Sequence, residues 1–376
     1  MKSSIALLLL ACCIVLSSCG DGEEVAETVR AGYQPDTVVV EVADTVGVMM
    51  GDSAFVFGNI TDATLTPDGR LLVLDGLKSR IGVFSNRCEH IGFAGRAGSG
   101  PGEYQYPKSF ALLDDGGLAV CDWGGIAVTH LTEELDFDTV LTGYRSIAPD
   151  RIVPGLGGAY VGMSLSHELV DGEPQGENFI ARFDRSTEPD LIYCSYPMRF
   201  TVDDEGDLNV HTTSMSWDTG PDGSVWVAVC SDSTWGFTGY DSGGDTLLSM
   251  EKPWERKEKS AEELEEGYLH ESLSTSRTEG SSVNRDRLHD NIPMYYNAID
   301  EIDVDDAGRI WVAQGWTEVP TFDVYDSSGE LLFVATIPAL ENDGGMAYCF
   351  ENGMIAFDTQ PEDYPKVYLL STGESL

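Results

Sequence analysis

One pattern recurs through most of this chain: an apolar strand, a Gly-containing turn and a second apolar strand. The clearest copies of the second strand are RLLVLD (70–75), GLAVCD (117–122), GAYVGM (158–163), SVWVAV (224–229), RIWVAQ (309–314) and MIAFDT (354–359). The turns just before them are PDG, DDGG, GLGG, PDG, DDAG and ENG. Each places a Gly where a tight hairpin requires positive φ. The copies begin 47, 41, 66, 85 and 45 residues apart. Three of these spacings match the ~40–50 residues of a propeller blade, and the other two require insertions. Further hairpins, RIGVFSNRCEHIGF (80–93), NFIARFDRSTEPDLIY (178–193) and TFDVYDSSGELLFVA (321–335), supply third and fourth strands.

The repeat therefore predicts an all-β chain: a six-bladed β-propeller of four-stranded antiparallel blades across residues 37–376. The long gap before RIWVAQ holds a polar stretch, about 251–292, in which Ser260 and Glu263 form a capping box opening SAEELEEGYLHESL. That stretch reads as a small helical insertion, not as a seventh blade. HELVDGEPQGEN (167–178) and FTVDDEGDLNV (200–210) read as loops or extended hairpins. The last blade shows only three strands, AYCF, MIAFD and KVYLL. The spare TVVVEVADTVGV (37–48) is expected to supply its fourth, closing the ring and removing an exposed sheet edge.

The order ITDATLTPDGRLLVLD (60–75), RIGVFS (80–85) and GFAGRAGSGPGEYQYP (92–107) resembles the NHL-like six-bladed propellers of bacterial envelopes. In that family the first blade ends in a GxGPGEF-type segment; here Tyr104 replaces the Phe. DEIDVDDAGRIWVAQ and TFDVYDSSGELL repeat the same grammar, so the resemblance covers about residues 37–371. It implies a fold and says little about activity, because propellers host many.

The first residues read as targeting. Lys2, the apolar run Ile5–Val15 and Leu16-Ser17-Ser18-Cys19 resemble a bacterial lipoprotein signal, with Cys19 as the lipidated residue. Residues 1–18 would then be removed. Residues 19–36, acidic and without apolar period, form a flexible tether. Gly20 follows the Cys, whereas an Asp there would favour inner-membrane retention, so the outer membrane is preferred if the cell has one. The chain carries 22 basic and 64 acidic residues, a formal net charge of −42, and loss of Lys2 makes it one unit more negative. Such a chain is no nucleic-acid binder, because binding phosphates requires Lys and Arg to displace counterions. Five cysteines follow the lipidation site: Cys88, Cys121, Cys194, Cys230 and Cys349. An odd number leaves at least one unpaired. Cys121 and Cys230, within apolar strands, read as buried thiols.

No complete catalytic constellation appears. The Gly-rich run 95–102 lacks GxxxxGK[ST] and reads as a blade connection. There is no GxSxG. His167-Glu168 and His270-Glu271 begin like HExxH but carry Asp171 and Ser274 at the fifth position. The one cofactor expectation is a divalent cation at Asp203 and Asp204 in DDEGD (203–207). Blade phase places Asn59, Lys108, Arg151, His211, Tyr295 and Asn297 at the channel mouth as ligand candidates. The leading expectation is a membrane-anchored binding or scaffold module for an envelope protein, peptide or glycan. The alternative is a metal-dependent, lactonase-like hydrolase or lyase using the central channel.

Overall fold

The structure, a computed structural model, describes residues 35–144, 147–171, 173–202, 208–265, 293–341, 345–359 and 363–372. The expected leader, Cys19, most of the tether, Asp203, Asp204 and residues 266–292 of the insertion lie outside the described residues.

Six antiparallel sheets follow one another along the chain. Blade 1 consists of Ile60–Leu65, Leu71–Asp75, Arg80–Phe84 and His90–Ala94. The innermost strands of blades 2 to 6 are Pro107–Leu112, Asp150–Pro154, Met215–Thr219, Ile299–Val304 and Met346–Cys349. The chain is a six-bladed β-propeller, as the repeat predicts. Its second strands are the most deeply buried: every residue of Leu71–Asp75 and Leu118–Asp122 is inside. They are short, β-branched or apolar runs sandwiched between neighbouring blades. The Asp that ends both is also structural. Asp75 accepts the backbone N–H of Gly58 (3.0 Å), Asn59 (3.2 Å) and Lys78 (3.1 Å). Asp122 does the same for Gln105 (2.9 Å) and Tyr106 (2.6 Å). Each therefore fixes the chain's approach to a first strand.

Between blades the core is aromatic. Trp311, Phe322 and Phe350 meet between blades 5 and 6; Trp226, Phe237 and Tyr325 meet between blades 4 and 5. Each such side chain stabilises the fold by about 1.5–3 kcal/mol through burial alone.

Closure is more elaborate than a single added strand. The N-terminal segment divides into β1 (Thr37–Val39) and β2 (Glu41–Val46). β2 pairs antiparallel with Val367–Ser371 and completes blade 6. β1 pairs parallel with Leu331–Thr336, adding a fifth strand to blade 5. Val40, between them, is 1 % exposed and lies in the aromatic cluster of blades 5 and 6. Its burial in that seam is why the run breaks there.

The two wide gaps are also resolved. Residues 167–171 and 173–178 belong to a long hairpin of blade 3, Tyr160–Val170 paired with Glu173–Phe183. Residues 200–202 and 208–210 fall within a separate ribbon, Arg199–Val202 paired with Leu208–His211. Residues 261–265 are helical, and the capping box is reciprocal: the Ser260 N–H donates to Glu263 Oε2 (2.7 Å), and the Glu263 N–H donates to Ser260 Oγ (3.2 Å). The Gly-rich run is a blade connection, with Glu103 holding Arg96 (2.8 Å) and the N–H of Gly100 (2.9 Å). Cys88, Cys121, Cys194, Cys230 and Cys349 are all free thiols.

Candidate functional site: the central channel and its upper mouth

The innermost strands enclose a cavity of about 300 Å³. We call the face where these strands begin the upper face. Side chains from all six blades line the cavity, and their polar atoms link each blade to the next. Asp62 of blade 1 accepts the N–H of Phe110 in blade 2 (2.8 Å). Ser109 of blade 2 accepts that of Ile152 in blade 3 (3.0 Å). Thr219 of blade 4 donates back to the Pro154 carbonyl of blade 3 (2.6 Å). Ser216 and Asp218 of blade 4 accept the N–H groups of Ile302 (3.0 Å) and Val304 (2.7 Å) in blade 5. Glu301 of blade 5 is bonded by the backbone of Tyr348 in blade 6. Thr64 and Cys349, 3.6 Å apart, span the last seam. Much of the channel's polarity therefore holds the ring together.

Charge is unevenly matched. Asp62, Asp150, Asp218, Glu301, Asp303 and Glu351 face Lys108 and Arg151. Arg151 spans the channel, donating to Ser216 Oγ (2.9 Å) and Glu301 Oε1 (3.0 Å). Burial raises the carboxyls, and the cations only partly oppose it. Asp62 is pushed up to about 7, with the Phe110 N–H and Arg151 pulling the other way. Glu301 is also pushed to about 7 against the pull of Arg151. Glu351 reaches about 8, through burial and then the nearby Asp218, Asp306 and Asp114. Asp303 lies well above the usual carboxyl range, driven by burial and by Asp218. Burial dominates at all four. Among the described residues, no three His, Cys, Asp or Glu side chains converge as metal ligands.

The structure brings two of the six mouth candidates to the cavity, Lys108 and Arg151. Lys108 Nζ lies 4.7 Å from the Tyr106 ring and 5.1 Å from that of Trp123. The other four lie elsewhere. Asn59 uses its backbone to meet Asp75. His211 is exposed on the ribbon, its ring 2.8 Å from Thr201 Oγ1; the chain pairs with itself there, and the inner strand begins only at Met215. Tyr295 lies under the Arg256 guanidinium (3.8 Å). Asn297 donates to Asp300 (3.0 Å) before its strand starts. Asp218, Glu301 and Asp303 escaped sequence reasoning because it looked only where strands begin. The signal was available: SWDT and EIDV place Ser216 and Asp218, and Glu301 and Asp303, at alternate positions further along the strand.

Exposed apolar side chains gather on the upper face. Met49, Met50, Leu77, Tyr106, Trp123, Ile126, Leu169 and Met294 all lie on upper-face turns or connections, as do Val202 and Val210 of the ribbon. Met50 and Leu77 are 83 % and 73 % exposed. Toward the opposite face, Leu156 is exposed in a turn, and Ile91, Phe137, Ile192 and Leu247 are exposed at the lower ends of outer strands. Beside blade 3's long hairpin lies a larger groove of about 950 Å³.

Comparison with known proteins agrees on architecture. A family profile described as a 6-bladed beta-propeller (DUF5128) matches residues 52–128. No protein of curated function matches the sequence. Among solved structures, the chain is similar to an exported protein of Bacteroides fragilis (13 % identity, 89 % of this chain and 99 % of that one, TM-score 0.47). It is also similar to virginiamycin B lyase from Staphylococcus aureus (10 % identity, 87 % and 98 %, TM-score 0.45). A third is the calcium-binding protein regucalcin from Agrobacterium tumefaciens (12 % identity, 88 % and 95 %, TM-score 0.39).

Proposed function

We propose that this propeller is a non-catalytic binding module, held at the bacterial envelope by a lipid on Cys19, that docks a protein partner on its upper face. The observation that carries this reading is the concentration there of exposed Met, Leu, Trp and Tyr side chains. An apolar patch with aromatic anchors is the composition of a protein-binding core. The formal charge of −42 selects a partner with a basic rim. The NHL-like blade grammar and the lipobox-like Leu16-Ser17-Ser18-Cys19 support an envelope setting. The alternative, a hydrolase or lyase in the channel, is tested in the same series.

The test compares the full chain with Met50→Asp/Leu77→Asp/Trp123→Asp and, as a lower-face control, Leu156→Asp. Envelope proteins cross-linked to each are quantified, and lactone turnover is assayed in parallel. The expected result is a partner captured by the parent and the Leu156 variant and lost, by about tenfold or more, in the triple variant. Cys19→Ala should move the chain from the membrane to the soluble fraction. Capture that survives the triple variant, a glycan bound instead, or turnover of the lactone would sink the reading.

A further inference from the structure

We propose that the lower half of the channel is a binding site for a small organic cation, an aliphatic amine or guanidine compound, held by Asp303 together with Asp218 and Glu351. This goes beyond protein docking on the opposite face and is independent of it.

The inference starts from one atom. Asp303 is 4 % exposed and lines the cavity; no described group donates to its Oδ2, and the polar side chain it meets is another carboxyl, Asp218, so the pair requires a proton or a cation between its oxygens. A buried carboxylate oxygen without a donor is costly, so its persistence points to a missing donor. Arg151 does not fill that role: it donates to Ser216 and Glu301 and does not bond Asp303 Oδ2. Lys108 sits at the other end of the channel, over Tyr106 and Trp123.

The route to the site is acidic as well. Glu351 lines both the channel and a recess of about 110 Å³ on the lower face, shared with Asp114, Asp305 and Asp306. Such a funnel concentrates cations and repels anions. Size and donor arrangement then narrow the class. A cavity of about 300 Å³ far exceeds a bare ion and fits the small end of organic ligands. No three side chains converge as metal ligands among the described residues. Phe110, Leu112 and Phe357 offer apolar wall for methylene groups.

Burial raises both Asp218 and Asp303, and the charge of Asp218 raises Asp303 further, so without a cation the pair retains a proton. An ammonium would replace that proton, so binding releases it and tightens as pH rises. The groups facing this pair are Asp62, Arg151, Glu301, Cys349 and Glu351.

Isothermal titration of the full chain in detergent with agmatine and putrescine tests this, in two buffers of different ionisation heat. The expected result is one site per chain, proton release, and an affinity that rises between about pH 6 and 8. It should weaken by about tenfold or more in Asp303→Asn and in Glu351→Gln. Asp303→Asn is isosteric, and its fold is checked by circular dichroism; Glu351→Gln, at the recess, provides a second reading. Failure of both amines to bind at millimolar concentration would overturn the proposal. So would equal binding by both variants, equal binding of uncharged 1,4-butanediol, or occupation of the site by calcium with the amines excluded.

Discussion

At the scale of single residues, the chain spends polar side chains on joining blades. Asp62, Ser109, Ser216 and Asp218 each accept a backbone N–H from the next blade's innermost strand. This explains why polar residues recur in strands that otherwise read as core, and why the channel's acids cannot all be read as ligand-binding. Tyr104 is the converse case. It is fully buried over Gly95, whose φ is +71° and where an added Cβ would lie 2.1 Å from the ring. Its hydroxyl has no partner among the described residues. A buried hydroxyl without a partner costs stability, so Tyr104→Phe should stabilise the fold by about 1 kcal/mol in urea denaturation. Destabilisation by a similar amount would mean that the hydroxyl is bonded after all.

At the scale of elements, the blades were legible because strand–Gly-turn–strand is a local signal that repeats. The insertions were less legible: the capping box of Ser260 and Glu263 was a local signal, whereas 167–178 could be read as a loop or as an extended hairpin. The division of the N-terminal run into β1 and β2 was not legible, because it depends on the seam into which Val40 fits. Closure predicts a sharp threshold. A chain beginning at Pro35 should melt as the full chain does. One beginning at Gly47 loses both closing strands and bares the Val367–Ser371 edge, and it should aggregate or unfold at least about 10 °C lower. Comparable melting of the two truncations, followed by circular dichroism and gel filtration, would refute the role given to closure.

At the scale of the whole molecule, acid dominates both surface and channel. Asp62 and Glu301 titrate near 7 and Glu351 near 8 in the folded chain. Carboxyls in an unfolded chain titrate near 4. Between these limits the folded chain holds more protons than the unfolded one, so stability falls as pH rises from about 4 to 8. Self-repulsion acts in the same direction. The melting temperature should therefore be higher at pH 5.5 than at pH 8, by about 5 °C or more. A flat or rising profile across that window would show that these carboxyls are ionised in the fold. Lys108 and Arg151 were reachable from blade phase, because bases are rare here and both sit near strand starts. The acids that complete the channel were hidden among the chain's 64, and only the ring brings together residues as distant as Asp62 and Asp303.

The double attachment of the N-terminal segment has a mechanical side. A pull arriving through Pro35 first loads Thr37–Val39 on blade 5 and then Glu41–Val46 on blade 6. The latch that shuts the ring is thus also the point where force enters. Under tension blade 5 would lose its added fifth strand and blade 6 its fourth, so a stretched molecule would open as an unclasped bracelet whose first four links stay whole.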